Sequence, residues 1–304
     1  MTNIINLQNS TLPENIVAEP IFFESNGNIL KGTIYKHAFA KGVLTSVIVT
    51  GAWTTVKEQM PATYAVELAK RGLLVMVFDF TGWGQSEGNR RYVDDPKVKT
   101  ADIHAAVNYL ASRDDVDTGN ISGLGVCASS GYMAEAVADN DNFQKLVLVA
   151  PWLHDADMAM EIYGGNEVVS NLIAASEEGE KSDNPTVLTA ASNSDETAPM
   201  YQAPYYTEEA RGLISEYDNQ FSTLSWKPWL TYDGQASADR IEKPILMVGS
   251  AGIALPAGAE AYEKRTNANV EKVWLDDDVN QFDFYDRADV VEDAADAAAE
   301  FFKS

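Results

Sequence analysis

Six short runs of unbroken hydrophobic character punctuate the chain: LTSVIVTG (44–51), LLVMVFDF (73–80), ISGLGV (121–126), LVLVAPWL (146–153), ILMVGS (245–250) and VEKVWL (270–275). Their length and lack of polar alternation predict strands buried on both faces, as in a parallel sheet covered by helices. Between them the apolar positions recur with helical spacing. Met60, Tyr64 and Leu68 fall at i, i+4 and i+8, Ile103, Ala106, Val107 and Leu110 repeat the stripe, and Val291, Ala294, Ala298 and Phe301 carry it near the C-terminus. Alternation of the two patterns predicts an α/β fold with a mostly parallel, doubly wound sheet.

Two stretches depart from this rhythm. IVAEPIFFESNG and NILKGTIYKH, meeting at the turn residues Asn26 to Asn28, predict an antiparallel hairpin on the edge of the sheet. From about 155 to 242 the chain is polar, contains the acidic run EEGEKSD, and interleaves Tyr201, Tyr205, Tyr206, Trp226 and Trp229 with helical pieces. So long a stretch is not one structureless loop in a compact domain. It predicts a helical cap inserted into a core made of residues 1–154 and 243–304. Ligands in open α/β sheets bind outside the carboxyl ends of the strands, so such a cap would roof the site. Its aromatic residues would then line a pocket or form the cap's own small core.

Composition narrows the function. With 304 residues, 45% of them hydrophobic, the chain has enough apolar material for one large core with an insertion. A net charge of −24 leaves no basic stripe for nucleic acid or for an anionic membrane surface. No run of about 18 apolar residues occurs, and the first residues lack the charged and apolar regions of a signal peptide, so a cytoplasmic location is expected. The single cysteine, Cys127, rules out an internal disulfide and a thiolate metal cage. Three scattered histidines have no metal-ligand spacing, and GWGQSEG lacks the lysine or helix opening of a phosphate loop. Neither a metal nor a nucleotide cofactor is expected, and the partner is a small-molecule substrate.

The chemistry concentrates at GVCASSG, residues 125–131. A nucleophile elbow needs small residues two places before and after its apex, because strand and helix nearly touch there. Gly125 and Ser129 meet that demand around Cys127. The helix expected to follow would place the thiol at its positive end, which favours a thiolate. A register shifted by two would make Ser129 the nucleophile, and a buried thiol at a glycine-rich strand end is the structural alternative.

The flanking motifs extend the pattern. Together with the hairpin, the loop TGAWTTVKEQM (50–60), the turn DFTGWGQSEG (79–88), similar to D-x-R-G-x-G-x-S-x-G, and the elbow, the chain resembles the α/β-hydrolase superfamily. Within it, the cysteine elbow resembles the bacterial branch related to dienelactone hydrolase. The resemblance implies that Cys127 is the nucleophile and that the backbone N–H groups of Trp53 and Ala128 form an oxyanion hole. It also implies hydrolysis or transfer of an acyl group from a small ester, lactone or thioester. Thr81 stands where the turn usually has arginine, so an interaction anchoring that loop is expected to be missing.

The rest of the triad is absent from its usual places. DDDVNQFDFYD (276–286) resembles a segment of the form T-H-x-D-x-Y-D, with Gln281 at the histidine's position. GSAGIALPAGAEAY (249–262) has no carboxylate before Glu260, and Ala251 falls where an aspartate is expected. No histidine follows His154. His37 reads as a surface residue of the edge strand and His104 as a structural residue on a helix flank. His154 follows LVLVAPWL and should emerge beside Cys127, on a strand about 5 Å away. It is a candidate displaced base or substrate donor, or an anchor of the cap through Asp155 or Asp157. Gln281 can orient a water but cannot take its proton. Asp79, Asp277, Asp278 and Asp283 are candidate carboxylate substitutes, against turn-forming or solvated readings of each. Two functions follow: a cysteine acyl-enzyme that releases its acyl group slowly, or a pseudoenzyme that binds an apolar carbonyl compound under the cap.

Overall fold

Asn26 and Gly27 both take left-handed backbone conformations, φ 48° and 80°, as a two-residue hairpin turn requires. They join β1 (Ile16–Ser25) to β2 (Asn28–His37), with Ser25 paired to Asn28. The structure is a computed structural model that describes residues 3–6 and 11–304. The chain continues through β3 (Leu44–Thr50), α1 (Met60–Lys70), β4 (Leu74–Phe78), α2 (Pro96–Ala111), β5 (Val116–Val126), α3 (Ser129–Ala138) and β6 (Phe143–Val149). Helices α1 and α2 coincide with the first two apolar stripes, and Tyr64, Leu68, Ile103 and Val107 are fully buried.

After β6 the polar stretch forms α4 (Ala156–Ile162), α5 (Asn166–Gly179), β7 (Val187–Thr189), β8 (Ala191–Ser192), β9 (Met200–Tyr201), α6 (Pro204–Thr207), β10 (Gln220–Ser222) and α7 (Trp226–Leu230). It is not purely helical: β7 pairs antiparallel with β10, and β8 pairs parallel with β9. The chain then returns through β11 (Ile245–Gly249), α8 (Pro256–Arg265), β12 (Val270–Trp274), α9 (Asp283–Asp286) and α10 (Ala288–Lys303).

The central sheet has the order β1-β2-β4-β3-β5-β6-β11-β12. The pairs β1–β2 and β2–β4 are antiparallel and the remaining pairs are parallel, so the fold is an α/β-hydrolase sheet with an antiparallel edge. One expectation is corrected. β12 is an edge strand, with Glu271, Lys272 and Trp274 exposed, so VEKVWL is not buried on both faces. Among the described residues no helix is long and apolar enough to cross a membrane. Two features of this architecture position the site. β5 and β6 are parallel neighbours whose last residues, Val126 and Val149, pair directly, and the loop after β3 reaches the same edge.

Candidate active site

Cys127 follows the last residue of β5 and has φ 57°, a conformation costly for a residue with a side chain and held only where the surroundings enforce it. The enforcement is visible. Its N–H donates to Val149 O (3.0 Å), and its carbonyl accepts from Ser130 N (3.0 Å) and Trp152 N (3.1 Å). A Cβ on Gly125 would lie 2.8 Å from Ser129 O, so the helix approaches the strand as closely as the small-residue pattern demands. Ser129 is the first residue of α3, and its hydroxyl turns back onto Val126 N and O, both at 3.1 Å. The apex is therefore Cys127, and the register centred on Ser129 is not the one formed.

The Tyr285 hydroxyl and the backbone N–H groups of Ala128 and Trp53 stand close enough to the Cys127 sulfur to favour its thiolate. The two groups expected to donate in an oxyanion hole thus both lie beside the sulfur. Burial outweighs all three and pushes the thiol above its ordinary range. This corrects the expectation of a self-ionising thiolate: the helix end and its donors are present, but the desolvation of a charge at a site 7% exposed is the larger effect.

Gln281, expected from the sequence motif at the histidine's position, has its amide fully engaged. Its Oε1 accepts from Ala254 N (2.8 Å), and its Nε2 donates to Ala150 O and to the Tyr285 hydroxyl, both at 3.0 Å. Tyr285 is the residue that sequence reasoning passed over. Its signal was present, since QFDFYD places Tyr285 on the tyrosine of the motif in which Gln281 replaces histidine.

His154 does not join this group. Trp152 Nε1 donates to its Nδ1 (3.0 Å), so Nε2 carries the hydrogen and donates to Trp229 O (2.9 Å). Both ring nitrogens are occupied, and burial lowers the imidazole pKa further. The ring ties the end of β6 to α7 through the tryptophans, not through Asp155, whose carboxylate instead caps α4 at Met158 N. We predict that His154→Ala leaves the pH profile of Cys127 alkylation unchanged while lowering stability in urea by about 1 to 3 kcal/mol, because the buried Trp229 carbonyl and the partly buried Trp152 indole lose their bonds. A shifted alkylation profile would restore His154 as a base.

The candidate carboxylates are also engaged elsewhere or solvated. Asp79 accepts from Lys57 N and Lys57 Nζ, both at 2.8 Å, and from Gln85 N at 3.0 Å. Asp283 holds the turn before α9 by accepting from Asn280 N (2.8 Å) and Asn280 Nδ2 (2.7 Å). Asp277 and Asp278 are exposed. His37 ends β2, which runs antiparallel to β4, so it lies at the sheet edge opposite the carboxyl ends of the parallel strands, and His104 lies on α2. The anchor thought missing at Thr81 is supplied differently. Thr81 N and Oγ1 donate to Asp102 at 2.8 and 3.0 Å, and Arg91 donates to the carbonyls of Gly84 and Ser86.

Above Cys127 lies a cavity of about 340 Å³. Trp53, Ala128, Gln281 and Tyr285 line it from the core, and Ile162, Tyr163, Met200, Tyr206 and Trp229 from the segment between β6 and β11. No lining residue carries a charge. Trp53 stacks on Trp229 with ring centroids 4.9 Å apart and touches Phe221 at 4.9 Å, so the oxyanion loop packs directly into the overlying segment. Among the described residues no group of three or more His, Cys, Asp or Glu could hold a metal ion.

Comparison with known proteins bears out the superfamily. The protein YcjY of Escherichia coli is 24% identical over 259 residues, covering 82% of this chain and 84% of YcjY. The thiohydrolase AneE of Aspergillus aculeatus is 26% identical over 182 residues, covering 58% of this chain and 55% of AneE. The crystal structure of the hypothetical protein PA2218 from Pseudomonas aeruginosa superposes with a TM-score of 0.82 at 20% identity, covering 100% of this chain and 98% of that one. Residues 49–210, from β3 through the elbow into the overlying segment, match the family described as serine aminopeptidase, S33. The chain belongs to that family of α/β-hydrolases.

Proposed function

We propose that the protein transfers or hydrolyses the acyl group of a small, uncharged ester, lactone or thioester through a thioester on Cys127. The observation that carries this reading is the meeting of the Trp53 and Ala128 N–H groups at the sulfur of a strained elbow residue, beneath an uncharged cavity. In the reaction the sulfur adds to the substrate carbonyl, and the carbonyl oxygen takes the two N–H donors as it gains charge. The bond to the leaving group then breaks, and the leaving group departs with the thiol proton. Residues 155–242 act as the cap, closing the acyl pocket with aliphatic and aromatic surface. The cysteine elbow, in a family named for serine, supports thioester chemistry and the kinship with dienelactone hydrolases. The name of the thiohydrolase relative points the same way.

Release of the acyl group is the slow half. No imidazole or carboxylate lines the cavity to activate water, and Gln281 has no lone pair basic enough to do so. Incubation with p-nitrophenyl acetate, followed by intact-protein mass spectrometry, is expected to show an acetyl adduct that persists after p-nitrophenol is released and is absent in Cys127→Ala. A protein that yields neither adduct nor product overturns the proposal. The upward shift of the thiol favours a second reading, in which the cavity binds an apolar carbonyl compound without reaction. That reading requires thermal stabilisation by such a compound with Cys127 unmodified.

A further inference from the structure

The Tyr285 hydroxyl meets three groups. Gln281 Nε2 donates to its oxygen at 3.0 Å, and it stands close to both the Cys127 sulfur and the Tyr206 hydroxyl, with which it lines the cavity. A phenol has one hydrogen and two lone pairs, so Gln281 fills one lone pair and leaves one acceptor and one donor position for Cys127 and Tyr206. When the oxygen accepts the thiol hydrogen, its own hydrogen points toward Tyr206. Tyr206 and Tyr285 both line the cavity in which a departing group would stand. Gln281 is itself fixed at both ends by Ala254 N and Ala150 O, so the orientation of the phenol is built into the backbone.

We propose that Tyr285 is a catalytic residue that relays the Cys127 thiol proton to the leaving group, with Gln281 as its positioning residue. The proposal rests on Cys127 being the nucleophile. As the Cys127 sulfur forms its bond to the carbonyl carbon, the S–H proton passes to the Tyr285 oxygen. The Tyr285 hydroxyl proton passes to the leaving oxygen as the carbonyl carbon–oxygen single bond breaks. Tyr285 is neutral before and after, and the products are the Cys127 thioester and a neutral alcohol. The relay suits a buried phenol better than a standing base would. Burial, joined by Cys127 and Tyr206, pushes the Tyr285 pKa far above the ordinary tyrosine range, so a free phenolate is not populated. A relay also answers the raised thiol pKa, since the sulfur need not ionise before it attacks.

The test compares two esters of one acid, an ethyl ester with a poor leaving group and a p-nitrophenyl ester with a good one. Adduct formation on Cys127 is followed by mass spectrometry. Tyr285→Phe, which keeps the ring, is expected to slow acylation by the ethyl ester about 100-fold. The p-nitrophenyl ester, whose attack still requires loss of the thiol proton but whose leaving group departs without one, is expected to slow much less. Gln281→Leu should show the same bias to a smaller extent. Should Tyr285→Phe fail to fold, the wild type carries the test: D₂O slows acylation by the ethyl ester, in which two protons move, more than acylation by the p-nitrophenyl ester. An equal effect on both esters, or none, overturns the relay while leaving the Cys127 thioester intact. Absence of any Cys127 adduct in the wild type overturns the underlying reading and the relay with it.

Discussion

Gln281→His combined with Ala251→Asp is expected to speed release of the acyl group from Cys127 by about 100-fold to 10,000-fold, the usual contribution of a histidine general base. Both positions are poised for the change. Gln281 already lines the cavity and reaches Cys127 through Tyr285. Gly252 pairs with Asn280 in an isolated parallel bridge, which brings residue 251 beside the loop that carries residue 281. An imidazole at 281 has a nitrogen to take the proton of a water, which the amide lacks. Decay of the preformed acetyl adduct gives the rate directly, separated from acylation. The rate should acquire a pH dependence centred near the histidine pKa of about 6.5, rising as the imidazole loses its proton with increasing pH. An adduct as durable as in the wild type, with no new pH dependence, would show that position 281 is not where a base can act.

Asp79→Ala is expected to cost about 3 to 5 kcal/mol of stability, measured by urea unfolding, as removal of one partner from a buried ion pair does. The Asp79 side chain is fully buried and Lys57 only 5% exposed. Lys57 Nζ is held at 2.8 Å by Asp79, at 2.6 Å by Glu58 and at 3.0 Å by Gln85 Oε1. Loss of Asp79 leaves this ammonium with less compensation and strips the Lys57 and Gln85 backbone N–H groups of their acceptor. The damage should extend to chemistry, because Lys57 lies four residues after Trp53 in the loop whose backbone lies beside the Cys127 sulfur. Adduct formation under native conditions is therefore expected to slow as well. Glu178→Ala, which removes the partner of the solvent-exposed Lys181, is the control and should leave the urea midpoint in place.

The sheet was legible because its signals are local. Apolar runs mark β3, β4, β5, β6 and β11, Asn-Gly marks the hairpin, and small residues flank the elbow. β12 was misjudged because Val270 and Val273 suggested burial, whereas its place at the sheet edge is decided by strand order. Within the site, Cys127 and Gln281 could be placed by motif, and Tyr285 was equally visible but reads as packing until its hydroxyl is seen at the sulfur. His154 was not legible. Its role depends on Trp152 beside it and on Trp229, 75 positions away, which together take both nitrogens. The same is true of Thr81 and Asp102, where a carboxylate 21 positions on replaces an anchor that the motif lacked.

The crowding of aromatic rings over Cys127 has an optical consequence. Trp53, Trp152 and Trp229, three of the protein's six tryptophans, line the cavity itself, and the Trp53 backbone lies beside the sulfur. Half of the protein's indole groups therefore stand at the walls of the space a substrate would fill, so filling that space, or acylating the thiol, is coupled to intrinsic fluorescence without any added label.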